Sequence, residues 1–125
     1  MLQEIKKESE HIDFELYRFV FETAVEIFEE IFETSKKFPR EKIFLIDQVR
    51  RHSKLVCLNL AEAWRAKKDK DIFLDKISEA AQEASRVQNC LKFAVKCKFL
   101  GNDVYRKLDS KYEDIFEMLC DGVRT

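Results

Sequence analysis

The stretch Asn59-Leu-Ala-Glu-Ala-Trp-Arg-Ala-Lys-Lys-Asp-Lys70 gathers an amide, a carboxylate, the chain's one Trp and a burst of basic charge. Where such residues converge they can hold a phosphate; where they diverge they are the polar end of a core helix. Other chemistry has less to work with. The chain has two His, His11 and His52. Glu8-x-x-His11 matches one half of a di-iron carboxylate motif, which bundles use in pairs. His52 and Cys57 are five apart and point roughly 140° away from each other on a helix, so they do not form a nucleophile and base. His52 and Asn59 are seven apart and share one flank. They form either a polar ladder for a ligand or boundary positions that hydrogen-bond to a neighbouring helix. A single buried amide such as Asn59 can also set register and partner choice. The 2 Gly are isolated, which excludes a P-loop or a dinucleotide fingerprint. The expected protein is not an enzyme and carries no metal and no cofactor.

These residues sit in a chain built for helices. It has 125 residues, 46% hydrophobic and 38% charged, with 2 Gly and 1 Pro. That length suits one domain over residues 1–125, and the scarcity of turn residues argues against an all-β fold. Cys57, Cys90, Cys97 and Cys120 form no CxxC pair and read as free thiols packed like small apolar residues in a reducing cytosol. The first residues lack the apolar core of a signal peptide, and no apolar run reaches membrane-spanning length. The expectation is a cytoplasmic protein with no membrane contact.

Apolar spacing predicts helices over about 5–37, 40–68, 72–99 and 103–120. The first has its main stripe at Phe14, Tyr17, Phe21, Ala24, Phe28, Ile31, Ser35 and Phe38, with a second line through Leu16, Val20 and Ile27. The second carries Ile46, Val49, Ser53, Val56, Leu60 and Ala63, and the third Phe73, Ile77, Ala80, Ala84, Val87, Leu91 and Ala94. The fourth carries Tyr105, Leu108, Tyr112, Ile115 and Leu119, with a frayed tail from Asp121. Pro39 stops the first helix. Asp69 or Asp71 caps the third, Gly101 supplies a left-handed residue after it, and Asn102 or Asp103 caps the fourth. Short connections predict an all-α, up-down-up-down antiparallel four-helix bundle.

Charge is uneven along this bundle. Residues 1–39 hold 5 Lys/Arg against 10 Asp/Glu, residues 40–70 hold 9 against 4, and residues 71–125 hold 9 against 10. The second helix is therefore a basic rod in a chain of net charge −1. Arg50, Arg51, Lys54, Arg65, Lys67 and Lys68 are the candidate phosphate contacts, with Lys70 just beyond them. The competing reading pairs these charges with the acidic first helix, within or between subunits. Surplus apolar residues at Phe19, Phe32, Leu55 and Leu58 predict an oligomer, and contacts between unlike faces close into a ring.

The helix from Arg51 to Arg65 resembles that of the four-helix-bundle proteins encoded in intervening sequences of bacterial 23S ribosomal RNA. Ser53, Val56, Asn59, Ala61, Glu62, Ala63, Trp64 and Arg65 carry the likeness. Lys37-Phe38-Pro39, Phe73, Leu91, Ala94 and Phe99 extend it across residues 14–121. The chain departs from the family at Gln82, Glu83, Arg86 and Gln88, and at Leu55 and Leu58, where small residues are usual. It also has Lys98-Phe99 in place of a Gly-Tyr pair. The resemblance implies a ring-forming homo-oligomer, often a pentamer, and a relation to the accessory subunits of diversity-generating retroelements. Those subunits are basic pentamers that partner a reverse transcriptase and bind nucleic acid. RNA or a ribonucleoprotein is the partner the resemblance suggests. A protein-interaction scaffold, with the basic helix serving subunit contacts, is the alternative.

Overall fold

The computed structural model describes residues 13–124, and Glu8 and His11 lie outside them. The described residues form four α-helices and no strand: α1 (Phe14–Ser35), α2 (Ile43–Arg65), α3 (Lys70–Lys96) and α4 (Asn102–Arg124). The start expected at residue 5 lies outside the described residues. Among the described residues α1 begins at Phe14, where Asp13 is non-helical (φ −43°, ψ 131°) and its carboxylate accepts from the Glu15 N–H. Pro39 is extended and precedes a single 3₁₀ turn, Arg40–Lys42, before α2. Asp69 is the cap of α3, accepting from the Ile72 N–H at 3.2 Å. Gly101 stands where α4 begins, its carbonyl accepting from the Tyr105 N–H at 3.2 Å, so neither Asn102 nor Asp103 is the cap. α4 continues past Asp121 to Arg124.

The helices pack in a circuit. α1 meets α2 and α4, and α3 meets the same two, with the most extensive contact between α2 and α3. All the stripe residues expected on α2 are buried. So are those of α3 and α4, apart from half-buried Ile77 and Tyr105.

On α1 the expectation is off by a fraction of a turn. Val20, Ala24, Ile27 and Ile31 are buried, whereas Phe14 is 56% exposed and Tyr17, Phe21 and Phe28 are half-buried. α1 lies between α2 and α4, so the centre of its buried arc falls between two apolar lines. The bulky aromatics take the flanks, where space is less confined.

The end of α3 holds a second correction. Gly101 is not left-handed; Lys98 is, at φ 65°. The Phe99 N–H donates to the Ala94 carbonyl at 2.9 Å and the Lys98 N–H to the Val95 carbonyl at 3.0 Å. These bonds form a Schellman closure with Lys98 in the place that favours glycine. Phe99 then meets Phe38 (ring centroids 6.1 Å), joining the α3–α4 turn to the α1–α2 turn. Because a Cβ in this conformation costs about 1 kcal/mol, Lys98→Gly is expected to raise the unfolding free energy by a similar amount. Thermal melts should show the midpoint rising by ~4 °C.

Candidate nucleic-acid interface

The structure divides the six candidate cations. Arg50 turns inward. Its Nε donates to Ser35 Oγ at 2.8 Å and its Nη2 to the Phe32 carbonyl at 3.3 Å, and its guanidinium lies 4.1 Å from the Phe32 ring centroid. In the last turn of α1 the Glu33, Thr34 and Ser35 carbonyls accept from the N–H groups three residues on, and Arg50 supplies a donor for the Phe32 carbonyl. Ser35 Oγ also donates to the Phe32 carbonyl at 3.0 Å, which gives this buried hydroxyl its own place in the closure.

Lys67 is engaged too. Its ammonium stands 3.9 Å from the Trp64 ring centroid. Trp64 stacks on Tyr17 at 4.5 Å and meets Phe14 at 5.7 Å. The chain's one Trp thus joins α2 to the first turns of α1.

Arg51, Lys54, Arg65 and Lys68 are exposed, and Lys70 with them. None forms an ion pair among the described residues. Successive outward positions on α2 set Arg51, Lys54, Leu58 and Arg65 along one face, and Lys68 and Lys70 extend the charge into the turn. Glu62, on that face, is paired across to α3: its carboxylate lies 2.9 Å from Lys76 Nζ. Its hydrogen bond, helped by that of Glu79, holds the Lys76 ammonium above its ordinary value.

The polar ladder does not form. His52 Nδ1 pairs with Glu83 of α3, and both side chains are largely covered. Asn59 is half-buried and makes no hydrogen bond to a described residue. Sequence reasoning missed Glu83 and Lys76 as partners of α2, because neither is near it along the chain. It also missed Ser35 as the anchor of Arg50.

The expected interface residues differ from one another. Phe19 is 52% exposed and Leu58 46%. Leu55 is half-buried, and Phe32 has Arg50 and Lys36 over its ring. Phe19 and Met118 line a groove between α1 and α4 with Asp114, Glu117 and Asp121. Phe44, with 81% of its surface exposed, has no counterpart in the expectations.

The thiols are free. Cys57 is buried, and burial pushes it up to about 11. Cys120 is exposed, unlike the packed residue expected there. Burial, and then the nearby Cys57, raises the Tyr112 phenol, whose buried oxygen has no hydrogen-bond partner among the described residues. Among the described residues no group of three or more His, Cys, Asp and Glu could hold a metal ion, and no helix is long and apolar enough to cross a membrane.

The profile of the 23S rRNA-intervening sequence proteins matches residues 19–121. The chain belongs to this family. Among solved structures it is similar to a protein of unknown function from the S23 ribosomal protein family of Bacteroides thetaiotaomicron VPI-5482, with a TM-score of 0.77. The two share 19% identity over 88% of this chain and 99% of the other, a likeness of fold. No curated protein matches the chain. In this member of the 23S rRNA-intervening sequence proteins, Glu62 and Trp64 of the helix that carries the resemblance touch other helices, while Arg65 faces solvent.

Two tests follow from this geometry. Arg50→Ala removes a hydrogen-bonded cap and is expected to cost about 1–3 kcal/mol in urea unfolding, against less than about 0.5 kcal/mol for Arg51→Ala. For Cys57 the folded state holds its proton above the ordinary value of 9.0. Its contribution is therefore complete below pH 9 and is lost as pH rises towards about 11, because the unfolded chain ionises first. Urea unfolding of Cys57→Ala should show a shallower decline across that window.

Proposed function

We propose that the protein is a non-enzymatic, ring-forming helical bundle that binds RNA or a ribonucleoprotein through the outer face of α2. The observation that carries this reading is the row of exposed cations, Arg51, Lys54, Arg65 and Lys68, that no described carboxylate neutralises. Phosphates draw their affinity from such side chains and release counterions on binding. The family's name ties its members to ribosomal RNA. A relation to retroelement accessory subunits belongs to the same proposal.

An up-down-up-down antiparallel order is supported by cross-helix pairs that run in opposite directions. Arg50 reaches Phe32 while Trp64 reaches Tyr17, and His52 reaches Glu83 while Glu62 reaches Lys76. Between α4 and α1, Lys107 meets Glu30 at 3.0 Å. A Cβ at Gly122 would come within 2.7 Å of Leu16.

Assembly is supported by two exposed faces of opposite charge. Leu58 lies among Arg51 and Lys54, and Phe19 and Met118 lie among Asp114, Glu117 and Asp121. One face is on α2 and the other between α1 and α4, so contact between copies would join unlike surfaces and close into a ring. Five copies is the number that the family resemblance suggests. The same complementarity favours a second reading, in which the protein is a scaffold and Arg51 and Lys54 serve subunit contacts.

The Arg51→Glu, Lys54→Glu, Arg65→Glu, Lys68→Glu variant separates the two. RNA binding weakened at least ~100-fold at unchanged mass by light scattering would support the first reading. A fall to monomer mass, with no RNA bound by the unaltered protein even at low salt, would support the scaffold.

A further inference from the structure

The end of the bundle that holds the α1–α2 and α3–α4 turns carries a second cluster of exposed cations, as numerous as that on the outer face of α2. The Phe38–Phe99 contact sets the two turns side by side. Lys37, Arg40 and Lys42 come from the first turn, and Lys96 and Lys98 from the second. All five are exposed, and no ion pair among the described residues involves them. Glu41 and Asp103 are the exposed acids within these turns and the first turn of α4; Glu33 is engaged by Lys36 at 2.9 Å.

Lys98 adds an independent observation. It holds the left-handed conformation at φ 65°, where glycine would be unstrained. Strain kept at an exposed turn points to a use for the side chain. The apolar residues of the turns themselves, Phe38 and Leu100, are buried. What stands out beside them is aromatic: Phe44, 81% exposed two residues beyond Lys42, and Phe93, 55% exposed one turn before Cys97. Aromatic faces standing singly among cations suit base stacking along a backbone-tracking surface. A membrane-inserting face needs contiguous apolar area instead.

We propose that this turn end is a second nucleic-acid surface, which takes a single RNA strand with its phosphates on Lys37, Arg40, Lys96 and Lys98 and a base on Phe44. The proposal rests on the RNA-binding reading above and adds a contact region that α2 does not supply.

The test uses the full chain and a labelled single-stranded RNA of about 16 nucleotides, with the matching duplex, the matching DNA strand and anionic lipid vesicles as further arms. The Arg40→Gln, Lys96→Gln, Lys98→Gly variant should bind the strand at least ~10-fold more weakly, with the slope of log K against log salt reduced by about 2. Lys98→Gly relieves backbone strain, so it should weaken binding while the melting temperature does not fall. Phe44→Ala should lose ~10-fold for the strand and less for the duplex. Equal loss for a DNA strand would mean that the surface reads backbone without the 2′-hydroxyl, and leaves the strand preference intact. Unchanged strand binding by the triple variant, together with loss by Arg65→Glu, Lys68→Glu, overturns this inference and spares the α2 reading. Absence of any strand binding by the unaltered protein overturns both. Tighter binding to duplex or to vesicles than to the strand overturns the proposed ligand.

Discussion

The seam between α2 and α3 is the contact on which the other features depend. α2 brings Ser53, Val56, Leu60 and Ala63 to the core, and α3 brings Ala80, Ala84, Val87 and Leu91, all buried. Small side chains let two helices approach closely, and close-packed interiors leave little freedom to slide. Polar pairs mark the seam's borders: His52 with Glu83, and Glu62 with Lys76. The His52–Glu83 pair is largely covered from water, which makes its pairing specific even where its net stabilisation is modest, whereas Glu62 stays half-exposed. With α2 and α3 in register, the orientation of every outward side chain on α2 follows.

That orientation explains why a uniformly basic segment does not make a uniformly basic surface. Helical steps of about 100° turn Arg50 toward α1 and Arg51 toward water. Arg50 then completes the end of α1, and Lys67 settles over Trp64. Exposed aromatic residues and cations remain at positions where no helix of the same chain covers them. Such surfaces are where a partner, whether another copy or a nucleic acid, gains contact without disturbing the core.

Lys98 illustrates a different balance. Elsewhere local preference and global packing agree: Asp13 and Asp69 cap helices, Pro39 separates them, and alanines line the most extensive seam. At Lys98 a lysine takes a backbone conformation suited to glycine, and the turn is held by the hydrogen bonds of Phe99 and by its contact with Phe38. Sites where a chain breaks its own local rules tend to be functional ones.

Period and punctuation were enough to place four helices, the buried stripe of α2 and most of those of α3 and α4, and the break at Pro39. Both signals are local: side-chain spacing repeats within a few turns, and Pro and the capping residues act on their immediate neighbours. The family was legible from Ser53 to Arg65 for the same reason. The rotation of α1 was not legible, because it has more than one apolar line and its neighbours on two sides choose between them. Nor were the roles of Arg50, His52 and Glu62, whose partners Ser35, Glu83 and Lys76 sit on other helices. Lys98 as the left-handed residue also stayed hidden, since Gly101 offered a conformationally freer choice three residues on. Each of these outcomes depends on contacts between segments distant in sequence, so they are settled when the helices pack.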